Sequence, residues 1–165
     1  MDFARILRHL ATSPRAVRRA FPEPSLAAIE AAISDAERSH AGEIRFALEG
    51  ALELGALLRG QSPRARAMAA FSGLGVWDTE YNNGVLIYLL LADRDVEIIA
   101  DRGVSARVGA GELEPICRVM ESLFRAGRFE EGAVEGIRAL GELLARHFPR
   151  QAGERDELPD RPAIL

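Results

Sequence analysis

The chain has no lysine, one cysteine, few aromatic residues and no apolar run of membrane-spanning length. Each absence removes a class of chemistry. All 21 basic residues are arginines, so a lysine Schiff base and a Walker-type phosphate lysine are excluded throughout the 165 residues. Cys117 stands alone, which rules out an intramolecular disulfide and any multi-cysteine metal site. The beginning of the chain lacks the apolar core of a signal peptide, and together with the absence of a membrane-spanning run this points to the cytoplasm. A net charge of −4 argues against nucleic acid as the main ligand, because a weakly acidic chain repels a phosphate backbone on average. No glycine-rich phosphate cradle and no Gly-x-Ser-x-Gly nucleophile elbow is present. His9, His40 and His147 follow no metal-ligand spacing and read as helix-end residues, and Cys117, beside Ile116 and Met120, reads as core filler.

What remains is an ordinary globular composition with a legible order of elements. Residues 1–24 carry five arginines against Asp2 and Glu23, with Phe3, Ile6, Leu7 and Leu10 at helical spacing. They form a basic amphipathic appendage, suited to docking on its own domain and offering a weak contact to an anionic membrane surface. Residues 25–149 read as the folded domain. A helix capped by Ser25 runs to His40, and Glu43 to Glu49 alternates as a strand. A leucine-rich stretch from Ala51 to Gly60 is ambiguous between loop and helix, and Ser62-Pro63 starts a helix that ends at Gly73 and Gly75. The run Val85 to Ala92 is apolar on both faces apart from the Tyr88 phenol, as a strand covered on both sides requires. Two helices follow, near Gly111 to Ala126 and Phe129 to His147, and residues 150–165 read as an irregular tail. The expected fold is α/β, a small mixed sheet made of a βαβ unit and an antiparallel hairpin, with helices on both faces.

The hairpin decides where chemistry can gather. With Asp93-Arg94 as a tight turn and Ala92 opposite Asp95, the register sets Asp101 opposite Leu86 and Gly103 opposite Gly84. Glu43 begins the first strand, Asn82-Asn83 begin the parallel second and Asp101 ends the third, so their oxygens share one edge, with Asp78 and Glu80 nearby. Carboxylate and amide oxygens without cysteine suit a hard cation, Ca²⁺ or Mg²⁺, and the expected metal set is Glu43, Asp78, Asn82, Asn83 and Asp101. The blander reading is a polar loop in which Asn83-Gly84 forms a turn. No organic cofactor is implied. Arg102, beside Asp101, is the candidate phosphate contact, while no catalytic residue is assigned. The opposite edge gathers Glu49, Asp93, Arg94 and Asp95, where ligands of open α/β sheets usually sit. Leu89 to Val96 also resembles the strand-then-DxD opening of haloacid-dehalogenase phosphatases, but apolar alternation resumes at once after Asp95 and that family's lysine is missing.

A linked set of motifs is more specific. His40-Ala41-Gly42-Glu43-Ile44-Arg45, Asn82 to Tyr88, Asp93 to Ile98, Ala100-Asp101-Arg102-Gly103, Phe129-Glu130-Glu131-Gly132, His147-Phe148-Pro149 and Glu157-Leu158-Pro159-Asp160 together resemble the TPM domain family over residues 25–160. The likeness is to its short soluble bacterial members. It implies an α/β sandwich, divalent-cation binding near the acidic edge, and the acid phosphatase activity proposed for the plant branch. One departure is the tail, which reads Arg155-Asp156-Glu157 where similar proteins often carry an amide before the glutamate. The convergence of acids at one strand edge, with this resemblance beside it, leads to the expectation of a binding or regulatory domain with a cation site. A metal-assisted acid phosphatase and a metal-free scaffold for an unknown protein partner are the alternatives.

Overall fold

The computed structural model describes residues 2–150 and 156–165. The departure noted at Arg155 lies outside the described residues. In chain order the elements are α1 (Phe3–Ala11), α2 (Pro14–Ala20), α3 (Glu23–Glu37), β1 (Glu43–Glu49), α4 (Leu54–Leu58), α5 (Pro63–Gly73), β2 (Gly84–Leu90), β3 (Asp95–Ala100), α6 (Arg102–Ser105), α7 (Ala110–Arg125), α8 (Phe129–His147) and β4 (Ala163–Ile164). The sheet order is β3-β2-β1-β4, with β1 parallel to both β2 and β4 and the β2–β3 pair antiparallel. This is the expected mixed sheet, extended by one short strand. Residues 163–164, expected to be irregular, pair with Ala47 and Leu48 and cover the free edge of β1.

All seven residues of β2 are buried, which explains its unbroken apolar run. Ile44, Phe46, Leu48, Val85, Ile87, Leu89, Val96 and Ile98 point to one layer, packed by α3, α7 and α8 through Ile29, Ile33, Met120, Phe124, Ile137 and Leu140. Ala47, Leu86, Tyr88, Leu90 and Ile99 point to the other, covered by α4 and α5 through Leu57, Ala67 and Ala70, with Leu158 of the tail joining them. Helices therefore cover both faces.

The hairpin register departs from the expectation by two residues. Leu90 faces Asp95 and Val85 faces Ala100, so Asp101 donates its N–H to Gly84 rather than pairing with Leu86. The reason lies in β1: the N–H groups of Leu91 and Ala92 donate to the carbonyls of Glu49 and Gly50, and these residues stay with the parallel neighbour while leaving β3. The turn is then Leu91 to Arg94, with Arg94 at φ 50°. Because the slip is even, every side chain keeps its face. Asn83-Gly84 is no turn, since Gly84 opens β2.

Other boundaries moved for local reasons. Pro22 rather than Ser25 begins α3, with Pro24 in its first turn, and the Ser25 hydroxyl donates to Glu130 at 2.6 Å. The helix stops at Glu37, while His40 bridges to Pro149. The leucine-rich stretch resolves as the short α4. The appendage forms two helices, N-capped by Asp2 and Ser13. Helix α1 docks with its polar side inward: Arg5, Arg8 and His9 reach Asp93, and Phe3, Leu7 and Leu10 are 72%, 66% and 64% exposed. His9 is thus a buried clamp whose Nδ1 accepts the N–H of Leu52 at 2.9 Å, not a helix-end residue in contact with carbonyls.

Candidate functional site

Glu37 closes α3 four residues after Ile33, on the face that packs against the sheet, so its carboxylate is buried. Its Oε1 accepts the backbone N–H of Ile44 at 2.7 Å. Glu43, the first residue of β1, is also buried, and its Oε2 accepts the N–H groups of Glu157 at 3.0 Å and Leu158 at 3.1 Å. Arg45 holds the same tail by donating to the carbonyls of Pro159, at 2.6 Å, and Arg161. Two side chains of β1 thus fold the tail back over the amino end of the sheet. The result is a three-carboxylate cluster: oxygens of Glu37, Asp156 and Asp160 all lie within 4.8 Å of one another.

Burial and mutual repulsion work against charge in this cluster, with the Ser34 hydroxyl and the Arg45 guanidinium opposing them at Asp160. Burial, with Glu43, Asp160 and Asp156 as neighbours, pushes the Glu37 carboxyl up to about 9, although the Ile44 N–H opposes the shift. Burial also raises Glu43, against the pull of the Glu157 and Leu158 N–H groups, and it raises Asp160, with Asp156 adding to the rise. One oxygen of Asp160, Oδ1, is buried with no hydrogen-bond partner among the described residues. An unpartnered buried acceptor on a member of an acidic cluster is what a hard cation would satisfy, and oxygen donors alone suit Ca²⁺ or Mg²⁺ better than zinc. The residues present therefore fit such an ion.

The five residues singled out from the sequence are distributed along the same end of the sheet without forming that cluster. Glu43 pairs with Gly84 in the ladder and Asp101 donates its N–H to Gly84, so the two acids flank β2 on one rim, as strand polarity requires. Their carboxylates serve different backbones. That of Asp101 caps α6, accepting the Arg102 N–H at 2.7 Å, and that of Glu43 holds the tail. Asn82, at φ 53°, accepts the Nε of Arg102 at 3.0 Å. Asn83 donates through Nδ2 to the Ala41 carbonyl, and its Oδ1 is buried without a partner among the described residues. Asp78 is exposed in the turn after α5. Arg102 is exposed at the start of α6, and Glu80 is tied to the tail, its N–H lying 3.2 Å from the Glu157 carboxylate.

Glu37, Asp156 and Asp160 were missed because a helix-end acid and a charged tail look solvated when only periodicity is read. The one signal is Glu157-Leu158-Pro159-Asp160, which belongs to the motif set although the tail reads as irregular.

Residues 19–143 match the TPM domain. The BA42 protein of the psychrophilic bacterium Bizionia argentinensis, whose structure was solved by NMR, is 33% identical to this chain, covers 86% of it and 93% of its own length, and superposes with a TM-score of 0.76. The N-terminal domain of a protein from P. gingivalis shares the fold at 24% identity and a TM-score of 0.56, covering 73% of this chain and 75% of that domain. Comparison with curated proteins finds no match. With the match spanning most of the chain, from α2 through most of α8, the protein belongs to the TPM domain family.

Proposed function

We propose that the chain is a TPM-type binding and regulatory module that takes a divalent cation, Ca²⁺ or Mg²⁺, at Glu37, Asp156 and Asp160, with Glu43 beside them. The observation that carries this reading is the convergence of the three carboxylates on one point, reached only because Glu43 and Arg45 fold the tail onto β1. A cation there would tie α3, β1 and the tail together, so binding would be read out as ordering of the chain's last residues. Calorimetric titration with Ca²⁺ and Mg²⁺ tests it. The expected result is one site, lost in Glu37→Gln and Asp160→Asn and retained in Asp101→Asn. No heat at millimolar metal would sink the proposal, and loss only in Asp101→Asn would move the ion to the neighbouring rim of Asn82, Asn83 and Asp78.

A second reading, metal-assisted hydrolysis of phosphate esters, draws on Arg102, an exposed guanidinium beside Asp101 that could hold phosphoryl oxygens. Turnover of an aryl phosphate that drops in Asp101→Asn and Arg102→Ala supports it, and turnover indifferent to both refers the activity elsewhere. For partners we look to α1, whose Phe3, Leu7 and Leu10 face outward and suit a membrane surface or an unknown protein. No helix among the described residues is long and apolar enough to cross a membrane. We place the protein in the cytoplasm, a reading supported by the lone Cys117, whose thiol burial pushes up to about 11 and so keeps unreactive.

A further inference from the structure

The end of the sheet opposite the acidic cluster carries a cavity of about 1310 Å³. Its floor is the β2–β3 turn, Leu91 to Arg94, at the carboxyl ends of the parallel strands, where ligands of open α/β sheets collect. One wall is α1 and α2, the other the turn into α8 around Phe129. The family match begins at residue 19, so Arg8, Ala11 and Ala16 lie outside it, and this wall is built by the chain's own N-terminal helices.

The charges lining the cavity do not balance. Asp93 is held by Arg5 at 2.8 Å and Arg8 at 3.2 Å, Glu131 by Arg128 at 2.6 Å, and Glu130 by the Ser25 hydroxyl. Asp93 and Glu131 are thereby neutralised by guanidiniums, while Glu130 keeps its charge beside a neutral hydroxyl. Arg19 makes no hydrogen bond or ion pair among the described residues, and Arg94 donates only to the backbone carbonyl of Arg125, which leaves its charge uncompensated. The lining also carries the apolar side chains of Leu91, Phe129 and Val134. Arg19 and Arg94 outnumber the one uncompensated acid, Glu130, and with the apolar side chains beside them they complement an anion that has an apolar body.

We propose that this cavity binds an organic anion, a carboxylate or phosphate group on an aliphatic or aromatic body, with Arg19 and Arg94 holding the head and the Phe129 side taking the body. The proposal is independent of the cation site. It is tested by calorimetric titration of the full chain with decanoate and decyl phosphate, and with decanol and decyltrimethylammonium as neutral and cationic counterparts, all below their aggregation concentrations. The expected result is one site for at least one anion, binding at least tenfold more tightly than decanol, with no binding of the cation. The preferred anion distinguishes a carboxylate from a phosphate ligand. Arg19→Glu, an exposed position with no partner to lose, should weaken the anion at least tenfold, and Ala16→Trp should obstruct it, both with unchanged circular dichroism. Leu7→Ser and Glu37→Gln should leave it intact. Equal binding of decanol, an Arg19→Glu variant that binds as the native protein does, or loss in Leu7→Ser, which would move the ligand to the outer face of α1, would each overturn the proposal.

Discussion

The Glu37 carboxylate accepts the N–H of Ile44 at 2.7 Å, so the acid that ends α3 is also a hydrogen-bond anchor for β1. Its two roles can be separated. Glutamine keeps the acceptor oxygen and removes the ionisable group that burial and the neighbouring Glu43, Asp160 and Asp156 raise to about 9. At pH 7.5 the cation-free native carboxyl is protonated while the unfolded one is ionised, so Glu37→Gln removes the cost of that proton uptake and should stabilise the cation-free protein by about 1–3 kcal/mol. In chelator the variant should melt a few degrees above the native protein, and millimolar Ca²⁺ should raise only the native protein. A lower melting temperature in chelator, or an undiminished calcium response, would contradict the assignment.

On the α5 side of the sheet the Tyr88 phenol donates to Glu49 Oε2 at 2.6 Å, and Arg66 Nε reaches the same oxygen at 2.7 Å. Tyr88→Phe leaves Glu49 paired with Arg66 and should cost about 1–2 kcal/mol. Glu49→Leu strands a buried hydroxyl and half-buried guanidinium together and should cost more, about 2–3 kcal/mol. The double variant should be less damaging than the sum, as for groups in one network. Urea unfolding decides, and strict additivity would show that the three do not act as a unit.

Acid sensitivity should come from His40. Burial first, and Arg150 second, lower its imidazole to about 4 from the usual 6.5. The native state keeps His40 neutral while the unfolded chain takes up a proton near pH 6.5, so its stabilising contribution is complete above pH 6.5 and is lost as the pH falls from there towards 4. His40 alone contributes a slope that approaches about 1.4 kcal/mol per pH unit within that window. Glu37, raised to about 9, contributes in the opposite sense above the ordinary carboxylate range, so the His40 part is read as the difference between the native protein and His40→Gln, which should lose stability less steeply as the pH falls. A native imidazole that titrates by NMR near 6.5 would remove the basis for the effect.

How legible this molecule is in its sequence depends on whether a residue's partner is local. Alternation in Glu43 to Glu49 and the unbroken run from Val85 identify β1 and β2 correctly because burial on one or both faces leaves a pattern within seven residues. Helix α8, Phe129–His147, has the anticipated bounds for the same reason. The hairpin register was misjudged because Leu91 and Ala92 take their hydrogen bonds from β1, forty residues away, and no local pattern carries that choice. The orientation of α1 was hidden likewise, since its apolar stripe suggested an inward face and Asp93 reversed it. The acidic cluster depends on Arg45 and Glu43 holding a tail more than a hundred residues downstream.

Gly84 illustrates a constraint that looks like a turn signal. A Cβ there would lie 2.0 Å from the Val76 carbonyl oxygen, a backbone atom that no rotamer change can move. The glycine after Asn82-Asn83 is needed because the chain leaving α5 crosses tightly over the start of β2. Gly84→Ala should destabilise by about 3 kcal/mol or prevent folding. Gly73→Ala, where nothing lies within 4 Å, should be neutral or stabilise by up to about 1 kcal/mol at the end of α5. Comparable melting temperatures for the two variants would rule out the crossing as the reason for glycine.

The N-terminal helix hangs on one carboxylate. Burial alone would raise the Asp93 pKa, but hydrogen bonds from Arg5, His9 and Arg8 outweigh it and hold the group below the usual carboxylate value. Asp93→Asn keeps the shape and removes the charge these three groups share, leaving Arg5, largely out of water, without an anion and weakening the contact from Nε2 of the neutral His9 imidazole. Helix α1 should then open independently of the sheet, since β1, β2 and the helices packed on them owe it little beyond Ile6. Amide exchange of Phe3 to Ala11 should accelerate at least tenfold, with exchange in Gly84 to Leu90 unchanged. Trypsin should cut sooner at Arg5 or Arg8. Equal protection of α1 in both proteins would mean that Ile6 and the backbone bond from Leu52 to His9, rather than the Asp93 ion pairs, keep the helix in place.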